Sequence, residues 1–358
     1  MCSVRQYVRL ALCATLVLLQ AVAQAASYVD VLDLPAKPSA LAVRSPLLDV
    51  TRAGERLVAV GQRGHILYSD DAGQSWQQAA VPVSADLNAV HFPTAEQGWA
   101  VGNDGVILHS SDAGQSWSKQ LDGRAIGELV LKHYSALASA EPGNEHWPLF
   151  AAEGQRLIEE GADKPFLDVW FADAQRGYAV GVFNLILATR DGGQSWTPLQ
   201  DRTDNPQGLH LNAIAATGAA LYLAGEQGLL RKWDAGQERF VAVDSPYQGS
   251  YFGLIGSPGE LLAYGLRGHV FHSRDAGQSW QQLDSGLQVS ITAAARDARG
   301  DYRLFTQAGH MLRAGAGADA ALQLLPQAQQ SPVAGATQAA NGALVLVGSR
   351  GVRVLPVE

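Results

Sequence analysis

Four aspartates are the first candidates for chemistry. Asp71, Asp112, Asp191 and Asp275 stand in the segments Ser69–Trp76, Ser110–Trp117, Thr189–Trp196 and Ser273–Trp280, each of the form Ser/Thr-x-Asp-x-Gly-x-Ser-Trp. A carboxylate flanked by hydroxyl residues could act as a general acid or base. The same pattern has a mechanical use. Asp can accept backbone N–H bonds in a tight turn, and Gly73, Gly114, Gly193 and Gly277 can take positive φ without a Cβ clash. Trp76, Trp117, Trp196 and Trp280 can each bury about 150–250 Å². The repetition assigns these residues to structure and names no catalytic residue. A decayed fifth copy runs from Lys232 to Gln237 and ends in Phe240.

Other polar residues repeat as well. Arg63, Arg267 and Arg350 share a position in a Gly-x-x-Gly turn, with Asp104 and Glu226 at nearby positions of other copies, so positive charge gathers on one sector of an acidic protein. His65, His269 and His310 follow the last residue of such turns; no second-ligand spacing accompanies them, so no metal site is expected. Arg63, Arg267, Arg350, His65 and His269 form the candidate partner-binding set. Asp49, Asn88, Asp168 and Asn212 each follow a Leu at the start of a strand. Four copies argue for backbone hydrogen bonding near a central channel rather than for catalysis. The chain has no Gly-x-Ser-x-Gly elbow, His-Glu-x-x-His or Gly-rich phosphate loop with Lys, and no paired Cys. Glycoside hydrolysis is the enzyme class retained, because its two carboxylates converge from distant positions.

The elements that must hold these residues follow from the repeat. The last positions of the turns, 64, 105, 184, 228, 268, 309 and 351, are separated by 41, 79, 44, 40, 41 and 42 residues. A period of about 41 fits a four-stranded propeller blade, and seven copies predict an all-β, seven-bladed β-propeller. Second strands such as Leu57–Val60 and Leu344–Val347 are unbroken apolar runs, as expected of strands covered on both faces. The one long interval carries an insertion at about 122–165, where Ile126, Val130, Tyr134 and Leu137 fall at helical spacing and Glu141–Asn144 would stop the helix. It should lie on the same end as the Gly-x-x-Gly turns. The last unit ends after its third strand, and the segment Tyr28–Leu34 is expected to close the ring as the fourth strand of that blade.

Composition narrows the function. The 358 residues carry 26 basic and 34 acidic side chains, which argues against nucleic-acid or anionic-membrane binding. Residues 1–25 read as a secretory signal, with Arg5 and Arg9, an apolar stretch Leu10–Leu19 and a small-x-small site at Ala23–Ala25. The propeller then spans 26–358 with a net charge of −10. Cys2 and Cys13 fall within the leader, so the exported chain has no disulfide, and no further stretch is long enough to cross a membrane.

The Asp-containing segments have the form of the Asp-box, or bacterial neuraminidase repeat. Together with units such as Leu87–Phe92, Gly98–Gly102 and Gly105–Leu108, they resemble the photosystem II assembly and stability factor propellers of cyanobacteria and chloroplasts, over Tyr28 to Glu358. The resemblance implies a monomeric, non-catalytic, cofactor-free propeller in the periplasm or a thylakoid-lumen-like compartment. Its partners would be membrane-protein subunits or an envelope complex, held on an arginine patch to which Arg63, Arg267 and Arg350 would correspond. Sialidases share the box, and Arg44-Ser45-Pro46 partly matches their Arg-Ile-Pro, so a glycosidase is one alternative. A periplasmic small-ligand-binding or transporter-accessory propeller is another.

Overall fold

The computed structural model describes residues 29–297, 299–315, 321–327 and 329–356. The expected leader and Tyr28 lie outside them. Seven antiparallel meanders follow one another, six of four strands and the last of three. Their first strands are Leu47–Ala53, Leu87–His91, Phe166–Phe171, Leu211–Thr217, Tyr251–Ser257, Ile291–Arg296 and Gly335–Gln338. Each touches the next, and the last touches the first, so the sheets form a cycle around a channel. The Gly-x-x-Gly turns and the links between sheets share one end, here called the upper end. The Asp-boxes share the lower end with the hairpins joining first to second strands.

Strand periodicity explains why second strands such as Leu57–Val60 and Leu344–Val347 are apolar throughout. Side chains alternate between two faces of a strand, and here both faces meet another sheet. In Arg56–Gly61, Val58 and Val60 pack with Val90, Val106 and Leu108 of the second sheet. Leu57 and Ala59 turn the other way, onto Val345 and Val347 of the seventh. The same strand therefore belongs to two interfaces, and a polar residue on either face is buried and needs a partner, as Arg303 of the sixth sheet has in Asp297.

Polar contacts between sheets gather around the channel, where the repeated Asp and Asn residues reach from one first strand to the next. Asp49 accepts N–H bonds from Val50 and from Val90 of the second sheet. Asn88 donates to the Phe166 carbonyl at 2.8 Å, Asp168 accepts from Ile214 N–H at 2.8 Å, and Asn212 donates to the Tyr251 carbonyl at 2.8 Å. Thr292 donates to the Val333 carbonyl between the sixth and seventh sheets. At the seam between the seventh and first sheets the backbones themselves meet: a Cβ on Gly335 would lie 2.8 Å from the Asp49 Cα, so a side chain there would force the first and last sheets apart.

The expected closing strand is corrected by the structure. Among the described residues the seventh sheet has three strands, and 29–34 is not one of its members. Val31 instead accepts a bond from Ser84 N–H, Ala36 N–H donates to Val81, and Leu32 is buried between the first and second sheets. The competing site won because Leu32 fills an apolar gap there. The segment then crosses the first sheet to a short turn, Ala42–Arg44, that touches the third strand of the seventh. Among the described residues no helix is long and apolar enough to cross a membrane.

The channel carboxylates generate a pH prediction. Burial raises Asp49 to about 6 and Asp168 to about 7, the latter also under the charge of Asp49. The folded state then holds their protons more tightly than the unfolded chain does. Their contribution is full below pH 4 and is lost as pH rises through 6 to 7. The stability cost of Asp168→Asn, measured by urea unfolding, should therefore shrink by about 1–3 kcal/mol between pH 4.5 and pH 8. A cost independent of pH would show that Asp168 is ionised throughout.

The candidate partner-binding face

The upper end is built on short turns in which side chains are forced outward. In the first, second, third, fourth and fifth sheets, the residue before the last turn position adopts left-handed backbone: Arg63, Asp104, Phe183, Gln227 and Arg267 have φ between 50° and 59°. Arg63 is fixed by a 2.7 Å bond from its N–H to the Asp86 carboxylate, while its side chain is exposed. Arg350 differs from the expected equivalence. Gly348 pairs directly with Gly351, so Arg350 lies in a two-residue hairpin, whereas Gln62–Gly64 makes a three-residue turn. Its side chain is exposed at the same end.

These three arginines form no ion pair among the described residues, whereas Arg56, Arg124, Arg156 and Arg239 are all paired. Arg44 is drawn to the same sector by the turn Ala42–Arg44, which packs against Gly351. The second sheet has the opposite sign: burial and the charges of Asp30, Asp86 and Asp163 raise the Asp104 carboxyl. The upper face thus divides into a basic sector at the first and seventh sheets, an acidic one at the second, and Arg267 apart on the fifth.

The histidines are less available than the arginines. His65 is 7% exposed, and its Nδ1 lies 3.0 Å from Ser45 Oγ. Burial and then the Arg63 charge hold it neutral. His269 is half-buried against Tyr247 and Phe271. Both rings support their turns.

The insertion contributes two helices, α1 (Gly123–Ala140) and α2 (His146–Glu160). Asp122 caps α1 through Arg124 N–H. Burial opposes the Asp122 charge, but hydrogen bonds from Arg124 and Lys119 outweigh it and hold the carboxyl at about 2. Arg124 also grips Asp33, which ties α1 to the N-terminal segment. The helices cross closely, since a Cβ on Gly154 would lie 2.4 Å from Leu131 N. Buried Tyr134 anchors α1 to the link after the third sheet, donating to Asp201 at 2.7 Å and Gln200 at 3.1 Å. Between α2 and that link lies a cleft of about 850 Å³ whose walls include Trp147, Leu149, Phe150 and Phe183. Leu149 is 69% and Phe183 54% exposed. Sequence reasoning passed over Phe183, although a large aromatic at a turn position filled elsewhere by Arg, Asp or Gln is a legible signal. Leu266 and Phe252 add exposed apolar surface on the fifth sheet.

The Asp-box carboxylates lie at the opposite end and are fully engaged. Asp71 accepts from Ser69 Oγ, Ser75 N–H and Ser75 Oγ, which hold it at about 2. Asp112, Asp191 and Asp275 repeat these bonds. Trp117 and Trp196 are buried between sheets, and Trp76 and Trp280 are half-buried. Among the described residues no group of three His, Cys, Asp or Glu side chains could hold a metal.

A family profile described as photosynthesis system II assembly factor YCF48 matches residues 32–140 and 151–314. The gap spans the link between α1 and α2 and the start of α2, including Trp147 and Leu149. A curated relative, the photosystem II assembly lipoprotein Ycf48 of Synechococcus sp. (strain CC9902), is 28% identical over 140 residues, 38% of this chain and 42% of the relative. The match therefore spans less than half of that relative's length. Among solved structures, YCF48 bound to D1 peptide superposes with a TM-score of 0.64 at 16% identity, covering 88% of this chain and 94% of the other. YCF48 from Cyanidioschyzon merolae gives 0.63 at 15% identity, over 88% and 96%. The WD40 β-propeller domain of Doa1 gives 0.61 at 12% identity, over 91% and 97%. At such identities these likenesses establish the β-propeller fold.

The anchoring of α1 is testable. Tyr134→Phe leaves Asp201 and Gln200 without their hydroxyl donor and should cost about 1–2 kcal/mol in urea unfolding. Amide exchange within 123–140 should quicken while the sheets keep their protection. Uniform loosening of all seven sheets would contradict a local anchoring role.

Proposed function

The chain belongs to the photosynthesis system II assembly factor YCF48 family, and from this premise we propose that it is an exported, non-catalytic scaffold. In this reading its upper face binds protein partners during assembly or stabilisation of a membrane-protein complex. The observation that carries the reading is the combination of outward-facing arginines that form no ion pair among the described residues with exposed Phe183, Leu149, Leu266 and Phe252 on one end of the ring. Exposed apolar groups beside unpaired cations suit a polypeptide with apolar and acidic side chains. The solved relative bound to D1 peptide supports a peptide as the kind of ligand. The leader-like composition of 1–25 supports export, and the family supports a role without catalysis.

The glycosidase alternative has a foothold in Asp49 and Asp168, two channel carboxylates with raised pKa values. Each, however, has one oxygen on its own strand's N–H and the other on the next sheet's. That use is structural, and we assign the pair to holding the ring together.

The proposal predicts that the tagged protein, isolated in gentle detergent, brings down membrane-protein subunits identified by mass spectrometry. Replacing Arg63, Arg267 and Arg350 together by Glu should reduce that recovery by about tenfold or more with no change in Tm, since the three side chains are exposed and unpaired. Unchanged recovery from a folded triple variant would remove the arginines from the binding face.

A further inference from the structure

The seventh sheet lacks what the other six have. In each of those, a short fourth strand of two to four residues lies antiparallel along the third. The third-strand residue at its centre pairs outward, as Leu67 does with Gln78 and Leu108 with Lys119. The matching position in the seventh sheet is Arg353, which pairs with Leu346 on the inner side as Leu67 pairs with Ala59. Among the described residues, no backbone bond reaches the outer edge of Gly351–Leu355. Val354, whose register matches the half-buried Tyr68 and His109, is 37% exposed.

The edge also carries charge without a counter-ion. Arg353 is half-buried and donates to the Gln329 carbonyl at 2.8 Å, but it forms no ion pair among the described residues. Burial alone lowers its pKa, with no carboxylate to offset it. Arg350 stands at the head of the strand, and a groove of about 530 Å³ lined by Gln329–Val333 and both arginines opens beside it.

We propose that Gly351–Leu355 is a strand-addition site that takes an extended segment of a partner polypeptide, with an acidic residue opposite Arg353 and apolar residues on either side of it. An incoming strand would satisfy the free backbone groups. Its acidic side chain would share the face of Arg353, while its neighbours would lie with Val352 and Val354 toward the first sheet, where Val354 already packs near Gly73. Residues 29–36 of the chain itself are not the occupant, because Val31 and Ala36 bind them to Ser84 and Val81. A second copy paired edge to edge would set Arg353 against Arg353, a like-charge juxtaposition that opposes it.

The inference rests on the reading of the protein as a binder of polypeptides, so its test uses the purified chain alone. The probe is the peptide acetyl-Thr-Val-Glu-Val-Thr-amide at millimolar concentration, read by amide exchange and NMR shifts. Slowed exchange at 352–355 is expected, with about tenfold weaker binding when Lys replaces Glu in the peptide and the reverse preference in the Arg353→Glu variant. A peptide N-methylated at Glu should not bind, and this control needs no altered protein. Unchanged exchange at 352–355, equal binding of the N-methylated peptide, or a dimer dispersed by Val354→Pro would each overturn the proposal. If the peptide fails while partner recovery still depends on the upper-face arginines, the strand site falls and the wider reading stands. If the peptide binds but recovery ignores those arginines, the strand site stands and the arginine face falls.

Discussion

Every sheet in this ring must bury both of its faces, and no sheet can do so alone. Apolar contact between neighbouring sheets is the interaction on which the remaining structure depends. It explains apolar second strands such as Leu57–Val60, because Leu57 and Val58, adjacent in sequence, serve two different interfaces. It also leaves the ends of the sheets and the outer edge of the seventh as the places open to a partner. A residue in the middle of a sheet is committed to packing, whereas turns and links are free to vary.

The channel adds direction to this packing. Apolar faces can slide, but Asp49, Asn88, Asp168 and Asn212 each fix the height of one sheet against the next through a backbone group. The Asp-boxes brace the lower turns from within, each carboxylate bonding the N–H and hydroxyl groups of its own turn. With the lower end held by repeated hydroxyl–carboxylate bonds, the upper turns can project Arg63, Phe183 and Arg267 from left-handed backbone. The insertion exploits the same platform: Tyr134 and Asp122 hold α1 in place, and α2 adds an apolar cleft rather than extending the ring.

What repeats in the sequence was legible, and what occurs once was less so. The boxes, the turn period, the helix beginning near Ile126 and the backbone role of Asp49, Asn88, Asp168 and Asn212 all followed from spacing. The path of Val31 to Leu34 did not, because an apolar segment reads as a strand wherever it lies and its site was decided by a gap between two sheets. The turn at Arg350 looked equivalent to that at Arg63, since the one-residue difference arises from pairing register. Phe183 was hidden by its place in a repeat, although its residue type set it apart. The open edge of the seventh sheet was masked by the expectation that the N-terminal segment would fill it.

In the proposed function the upper face, and not the channel or the box end, meets the partner. Amide-exchange footprinting of the protein with and without a partner recovered in detergent tests it most directly. Protection should concentrate at 62–64, 146–150, 183, 266–268 and 349–350, with the turns at 69–76, 110–117, 189–196 and 273–280 unchanged. Protection centred on those lower turns, or on the channel strands alone, would contradict it.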